Sequence, residues 1–145
     1  MIKDLMIKDL KVGSCRMIIS KKIIQKRGDI IIGELGQSIP FTPKRYFIVN
    51  NVPPEEVRGQ HAHKVCHQIL ICIHGSIIAH IDDGYKKEEV ILEDPSHGLY
   101  MPPMTWGAQS SFSKESKLLV LASHLYDKDE YINSYNDFRK ALKIN

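Results

Sequence analysis

The chain has 145 residues, with 20 Lys and Arg, 17 Asp and Glu, 7 His and a formal net charge of +3. One domain is the expectation at this length, and 43% apolar against 26% charged residues excludes a disordered or fibrous chain. The small, dispersed charge excludes a strongly cationic nucleic-acid binder, and apolar runs such as 69–73 fall far short of the roughly 20 residues of a membrane span.

The first ten residues read MIKDLMIKDL, a tandem five-residue duplication. Each copy carries a charge pair and neither offers the apolar stretch of a signal peptide, so residues 1–15 are expected to form an N-terminal extension of one 1–145 domain. From about residue 16 to 123 the sequence offers short runs rich in Ile and Val, at 17–19, 30–32, 46–49, 69–73, 77–81, 90–92, 99–101 and 118–122. Each is too short for a typical helix and is bounded by turn residues, which predicts strands. Asp83-Gly84, between two such runs, is a hairpin signal because glycine accepts positive φ. So many short strands predict an all-β sandwich or barrel. The period then changes. Tyr131, Tyr135, Phe138 and Leu142 fall at i, i+4, i+7 and i+11, predicting an amphipathic helix over 127–143 with Asp127 as N-cap and Glu130 completing a capping box. That helix can pack on its own barrel or on a partner subunit. Cys15, Cys66 and Cys72 form no CxxC and cannot all pair, which points to a reducing cytoplasm and to thiols behaving as small buried hydrophobes.

The chemistry concentrates in Arg58-Gly59-Gln60-His61-Ala62-His63-Lys64, followed by Gln68. His61 and His63 are two apart, so on a strand both imidazoles point to one face, lumen or solvent. In a lumen they would be two groups titrating near neutrality, suited to moving a proton beside a carbonyl. Arg58 and Lys64 flank them and could hold an enolate or phosphate oxygen, although each alone is also an ordinary surface cation. Two histidines and the neutral amide of Gln68 make a poor metal shell. His67 lies four residues beyond His63, about 13 Å along an extended strand. The expectation is therefore no metal and no cofactor.

The spacing His61-x-His63, then Gln68 and Gly75, resembles the first motif of the cupins, small jelly-roll β-barrels; their metal-binding members carry Glu at the Gln68 position. More narrowly, the stretches RGQHAHK, HQILICIHGS, IDDG, DPSHGLYMPPMTW and LLVLASHLYDKDEYI resemble the sugar-nucleotide 3,4-ketoisomerases over about residues 23–138. The resemblance implies an all-β cupin jelly roll closed by a C-terminal helix, metal-free and homodimeric. It implies action on dTDP-4-keto-6-deoxyglucose, with no nucleic-acid or membrane partner, in deoxy-amino-sugar synthesis for surface glycans such as lipopolysaccharide. By the same match His61 is the base, and His63 the proton shuttle or hydroxyl anchor. Arg58 would neutralise the developing oxyanion or a phosphate, with Lys64 beside it. Tyr100 and Trp106 would line the cavity, and Arg27 and Arg45 would meet the pyrophosphate. Phe47 is a departure, since the family often carries tyrosine there and phenylalanine has no hydroxyl to relay a proton. Either Tyr46 or another group, or water, takes that part. A 3,5-epimerase on the same scaffold and a non-catalytic metabolite-binding cupin are the alternatives. Gly107 offers no side chain to set the face protonated at carbon 4.

Overall fold

The computed structural model describes residues 1–144. In chain order it contains β1 (Ile2–Lys3), β2 (Met6–Asp9), β3 (Arg16–Ile19), β4 (Lys21–Ile23), β5 (Ile30–Ile32), β6 (Arg45–Asn50), β7 (Arg58–His63) and β8 (Gln68–His74). There follow β9 (Ile77–Asp82), β10 (Lys87–Leu92), β11 (His97–Met101), β12 (Trp106–Ser110), β13 (Lys117–Ala122), a 3-10 turn at Lys128–Glu130, β14 (Tyr131–Ile132) and the helix α1 (Tyr135–Ala141). A six-stranded sheet, ordered β2-β3-β11-β8-β13-β6, faces a five-stranded sheet ordered β10-β9-β12-β7-β14. A small third sheet, β1-β4-β5, stands beside them. This is the jelly-roll barrel with a C-terminal helix that the strand pattern and the resemblance predict.

Alternation builds the core. Leu70 and Cys72 of β8, Leu99 and Met101 of β11, and Leu118 and Val120 of β13 point inward from the larger sheet. Ile77, Ala79 and Ile81 of β9, with Val90 and Leu92 of β10, meet them from the smaller one. Period-2 patterning sends the residues between them to the outer faces. Each predicted run lies within a strand, whereas 106–110 is a central strand without an Ile/Val signal. It sits between β9 and β7, where its neighbours supply the hydrogen bonds that its composition does not advertise.

Two expectations need correction. Residues 1–15 are not an appended extension, because the two MIKDL copies enter different sheets. Ile2–Lys3 pairs with β4, and Met6–Asp9 pairs with β3. Both add an edge strand, which is how identical pentapeptides can serve two sheets. The helix expected over 127–143 is also shorter. Asp127 caps only the 3-10 turn, accepting from Asp129 N at 2.9 Å. The chain then extends, and Tyr131 and Ile132 pair with His63 and Ala62 of β7. Ser134 starts the helix, its Oγ accepting from Asp137 N at 3.3 Å. The open edge of β7 offers backbone partners that a continued helix would forfeit, and Ser134 supplies a second N-cap farther along the chain. The helix packs on its own barrel through Phe138, fully buried with Ala62 and Ile132 on the outer face of the five-stranded sheet.

Gly75 closes the β8–β9 turn at φ +76°, where a Cβ would meet Ser116 Cα at 2.9 Å. Left-handed backbone and a collision with main chain act together, so Gly75→Ala is expected to lose about 1–3 kcal/mol. Urea midpoints of the two proteins check this; equal midpoints would show that the turn opens without cost.

Candidate active site

β7 carries the site because it is irregular. Its pairing with β12 runs Gly107 to His61 but Ala108 to Gly59, leaving Gln60 as an extra residue. Gly59 and Gln60 both have positive φ, +83° and +56°. A Cβ on Gly59 would lie 3.1 Å from Ala108 Cα, a tight contact that, with the positive φ, favours glycine here. Such a bulge re-aims the side chains that follow it. Beyond it His61 and His63 share the barrel side of β7, and Ala62 between them faces the helix.

His61 lines a cavity of about 80 Å³ with Phe47, Arg58, Gln68, Gln109 and Val120 among others. Its Nδ1 bonds the Gly59 carbonyl at 3.1 Å. The His63 ring meets it edge-on, with centroids 5.0 Å apart. Burial holds both imidazoles below the ordinary histidine pKa, for His63 against the opposing pull of the Glu130 carboxylate. That burial favours the neutral form of both rings.

Three more residues surround the pair: Glu130 and Tyr131, to which the sequence gives no part in the site, and Arg45. Glu130 is buried, and one of its oxygens is hydrogen-bonded to His63 Nδ1. Its other oxygen accepts from Val65 N at 3.2 Å and Cys66 N at 3.3 Å. Burial opposes the charge on Glu130, but these bonds hold its pKa below the usual carboxylate value. Tyr131 lies against both imidazoles, its ring 4.4 Å from that of His63 and 5.0 Å from that of His61. Arg45 donates from Nη2 to the Tyr131 hydroxyl at 3.2 Å and from Nε to the His124 carbonyl at 2.9 Å. Arg45 had been singled out, but as a pyrophosphate ligand and not as the anchor of a tyrosine. Phe47 does face the cavity, and Tyr46 does not replace it, being 69% exposed. The phenol beside the histidines is that of Tyr131, delivered by the β14–β7 pairing and not by β6.

A family model described as FdtA: WxcM-like, C-terminal matches residues 13–143. The chain belongs to this FdtA family. It is 40% identical over 131 residues to the TDP-4-oxo-6-deoxy-alpha-D-glucose-3,4-oxoisomerase of Aneurinibacillus thermoaerophilus, covering 90% of this chain and 94% of that one. Among solved structures it resembles the QdtA 3,4-ketoisomerase of Thermoanaerobacterium thermosaccharolyticum, as a histidine-to-asparagine variant in complex with TDP-4-keto-6-deoxyglucose. The identity is 35% and the TM-score 0.85, over 89% of this chain and 94% of that chain. The WlaRB TDP-quinovose 3,4-ketoisomerase of Campylobacter jejuni is 36% identical with a TM-score of 0.85, over 89% and 99%.

Within this FdtA-family chain the remaining sequence candidates divide. Arg58 lines the cavity with His61. Lys64 points away: its Nζ donates to the Asp129 carbonyl at 3.1 Å, tying down the turn that carries Glu130. It follows His63, and alternation puts it on the opposite side. Tyr100 lies on the outer face of the six-stranded sheet with Ile18 and Ile69, its hydroxyl 2.8 Å from His67 Nδ1. Trp106 lies on the outer face of the five-stranded sheet, 5.4 Å from the Tyr135 ring and 5.8 Å from that of Phe138. Neither aromatic reaches the His61 cavity. Arg27 is exposed at the turn between β4 and β5, in the third sheet, and is not part of the cavity lining.

His63, Cys66 and Glu130 bring possible metal-ligand atoms within 4.8 Å of one another. The carboxylate and the thiol are already engaged. Both oxygens of Glu130 accept hydrogen bonds, and the Cys66 thiol lies 3.4 Å from the His67 carbonyl. The Ser123 hydroxyl also donates to Cys66 Sγ at 3.8 Å. The trio is a hydrogen-bonded cluster fixing His63. Gln68, at the position filled by Glu in metal-binding cupins, faces the cavity as a neutral amide.

Proposed function

We propose that this protein converts TDP-4-keto-6-deoxyglucose into its 3-keto isomer by metal-independent acid–base catalysis. The observation that carries the reading is the pair of imidazoles, 5.0 Å apart on the barrel side of β7, in a chain 40% identical to an oxoisomerase of that substrate. Carbon 3 of the substrate is acidic because carbon 4 is a ketone. His61 takes the carbon 3 proton, the C–H electron pair forms the C3=C4 bond, and the carbonyl oxygen becomes an enolate. Protonation of the carbon 4 oxygen and return of a proton to carbon 4, with loss of the proton from the carbon 3 hydroxyl, leave the ketone on carbon 3 and a hydroxyl on carbon 4. Atoms and electrons balance within the sugar, so no redox partner is consumed.

His63 serves as the shuttle, and Arg58 at the cavity wall meets the developing oxyanion or a phosphate. The enclosed space is small, so the sugar's reacting edge enters and the nucleotide lies outside it. Tyr131, held by Arg45, takes the place left by Phe47. The protein is assigned to the cytoplasm, in keeping with its three buried free cysteines, and to deoxy-amino-sugar synthesis for surface glycans. Among the described residues no helix is long and apolar enough to cross a membrane. A homodimer is assigned as well. The outer face of the six-stranded sheet presents an apolar groove of about 280 Å³ that includes Ile69, Ile71, Ile73, Leu119 and Leu121, which a second copy would cover.

The test is product NMR after incubation of chelator-treated protein with TDP-4-keto-6-deoxyglucose in D2O. The expected product has its ketone at carbon 3 and deuterium at carbon 4. Label at carbons 3 and 5 with the ketone still at carbon 4 would make the protein an epimerase. No exchange by folded protein would make it a binding module, and activity lost to the chelator and restored by metal would overturn metal independence.

A further inference from the structure

The hydrogen bonds of the two imidazoles determine where their protons sit. Glu130 is 67 residues from His63 in sequence and is bonded to its Nδ1 in the fold. An ionised carboxylate only accepts, and this one is held ionised by three donors converging on two oxygens: His63 Nδ1–H, Val65 N–H and Cys66 N–H. A neutral imidazole has a single N–H. With that hydrogen committed to Glu130, His63 Nε2 keeps its lone pair. Nε2 is also the one buried side-chain nitrogen or oxygen among the described residues that has no hydrogen-bond partner. A buried, unpartnered ring nitrogen is costly to keep unless it is used.

We propose that Glu130 is a positioning residue. It locks His63 in the Nδ1–H tautomer, so that a bare Nε2 accepts and returns the migrating proton. This deepens the ketoisomerase reading and, for the proton's path, rests on it.

His61 offers the comparison within the same site. Its Nδ1 bonds the Gly59 carbonyl, which also only accepts, so His61 is fixed in the same tautomer by a neutral partner. The two imidazoles then differ in one respect, the charge behind them. A carboxylate stabilises an imidazolium that forms in front of it, and a carbonyl does so far less. His61 can therefore make the first abstraction and pass its proton on, whereas His63 is the imidazole able to hold one. The Glu130 side chain divides its work: one oxygen orients His63, and the other pins the 65–66 backbone where the chain leaves β7.

Glutamine at 130 would keep the shape but offer a single oxygen to three donors. Either it keeps the backbone bonds and turns its NH2 toward His63, forcing the other tautomer, or it keeps His63 and abandons the backbone. The test has two arms. The first is two-bond 15N–1H NMR of 15N-histidine-labelled, substrate-free wild type at neutral pH. It is expected to show His63 protonated on Nδ1 and bare on Nε2; an Nε2–H ring would overturn the proposal outright.

The second arm compares Glu130→Gln and Glu130→Asp in turnover. The glutamine variant is expected to lose about 10–100-fold in kcat with KM nearly unchanged. The acid limb of its pH profile is expected to move to lower pH, because the carboxylate that raises the His63 pKa has gone. Aspartate, which keeps the charge, is expected to recover part of kcat. Variants that lose stability while kcat per folded molecule and the pH limb stay at wild-type values would show a purely structural residue and overturn the proposal. Should the glutamine variant fail to fold, the wild-type spectrum and the aspartate variant still decide. The spectrum needs no substrate: a bare Nε2 in a protein with no ketoisomerase turnover would sink that reading and leave the orienting role of Glu130 standing.

Discussion

Replacing His61 by asparagine is expected to lower kcat by about 10²–10⁴-fold, the range supplied by a positioned general base, while the barrel stays folded. The side chain is half-buried, and its one hydrogen bond within the protein is from Nδ1 to the Gly59 carbonyl at 3.1 Å. An asparagine amide can also donate to that carbonyl, so little stability is at risk. What disappears is the imidazole lone pair that the proposed mechanism uses to take the carbon 3 proton. The wild-type pH profile follows from the same surroundings. Burial first, and the neighbouring His63 second, push the His61 pKa below its ordinary 6.5. The neutral ring is the active form, so kcat/KM is expected to hold through neutrality and to fall only as pH drops below about 6.5, through the lowered pKa. Steady-state kinetics, with circular dichroism as the folding control, check both statements. An asparagine variant within tenfold of wild type would remove His61 from the role of base.

Much of this site follows from alternation. Once β7 is read as a strand, His61 and His63 must share a face, and the period-2 patterns of β8 and β13 settle which residues make the core. The same rule places Tyr100, since Leu99 and Met101 on either side of it are core residues and it must therefore point outward. Family likeness put Tyr100 in the cavity, and strand parity decides against it. Trp106 is harder, because Pro102-Pro103 interrupts the pattern before β12 and hides its register. Glu130 and Tyr131 were beyond the sequence. Nothing local signals that Tyr131 pairs with His63 across 68 positions of chain, and its spacing to Tyr135, Phe138 and Leu142 fits one helical face by coincidence. Asp127 and Ser134 both offer caps, and which one starts the helix is settled by the open edge of β7, a tertiary feature. The bulge at Gln60 left one trace, Gly59, whose positive φ and closeness to Ala108 favour glycine.

Because the helix meets β7 from behind, its packing bears on the site as well as on stability, and Phe138→Ala is expected to show both. A helix of seven residues cannot stand alone in water, so α1 exists because Phe138, fully buried on Ala62 and Ile132, fastens it to the five-stranded sheet. The ring also lies 5.8 Å from those of Trp106 and Tyr135. Truncating so large a buried side chain costs about 3–5 kcal/mol in transfer and cavity terms. Ala62, beneath Phe138, separates His61 from His63, and Ile132, beside it, follows Tyr131. Loosening this contact therefore frees β14, the strand that pairs Tyr131 with His63, and the turn just before it that carries Glu130. The expected result is a large fall in the urea midpoint together with a drop in kcat at temperatures where the barrel is still folded. The chain has a single tryptophan, so Trp106 emission reports the exposure of this outer face directly and is expected to shift to the red in the variant. Phe138→Leu, which refills most of the volume, is expected to recover most of both losses. An alanine variant that unfolds at a lower urea concentration but keeps wild-type kcat while folded would show that β14 is held by its pairing with β7 alone, and that the helix contributes only stability.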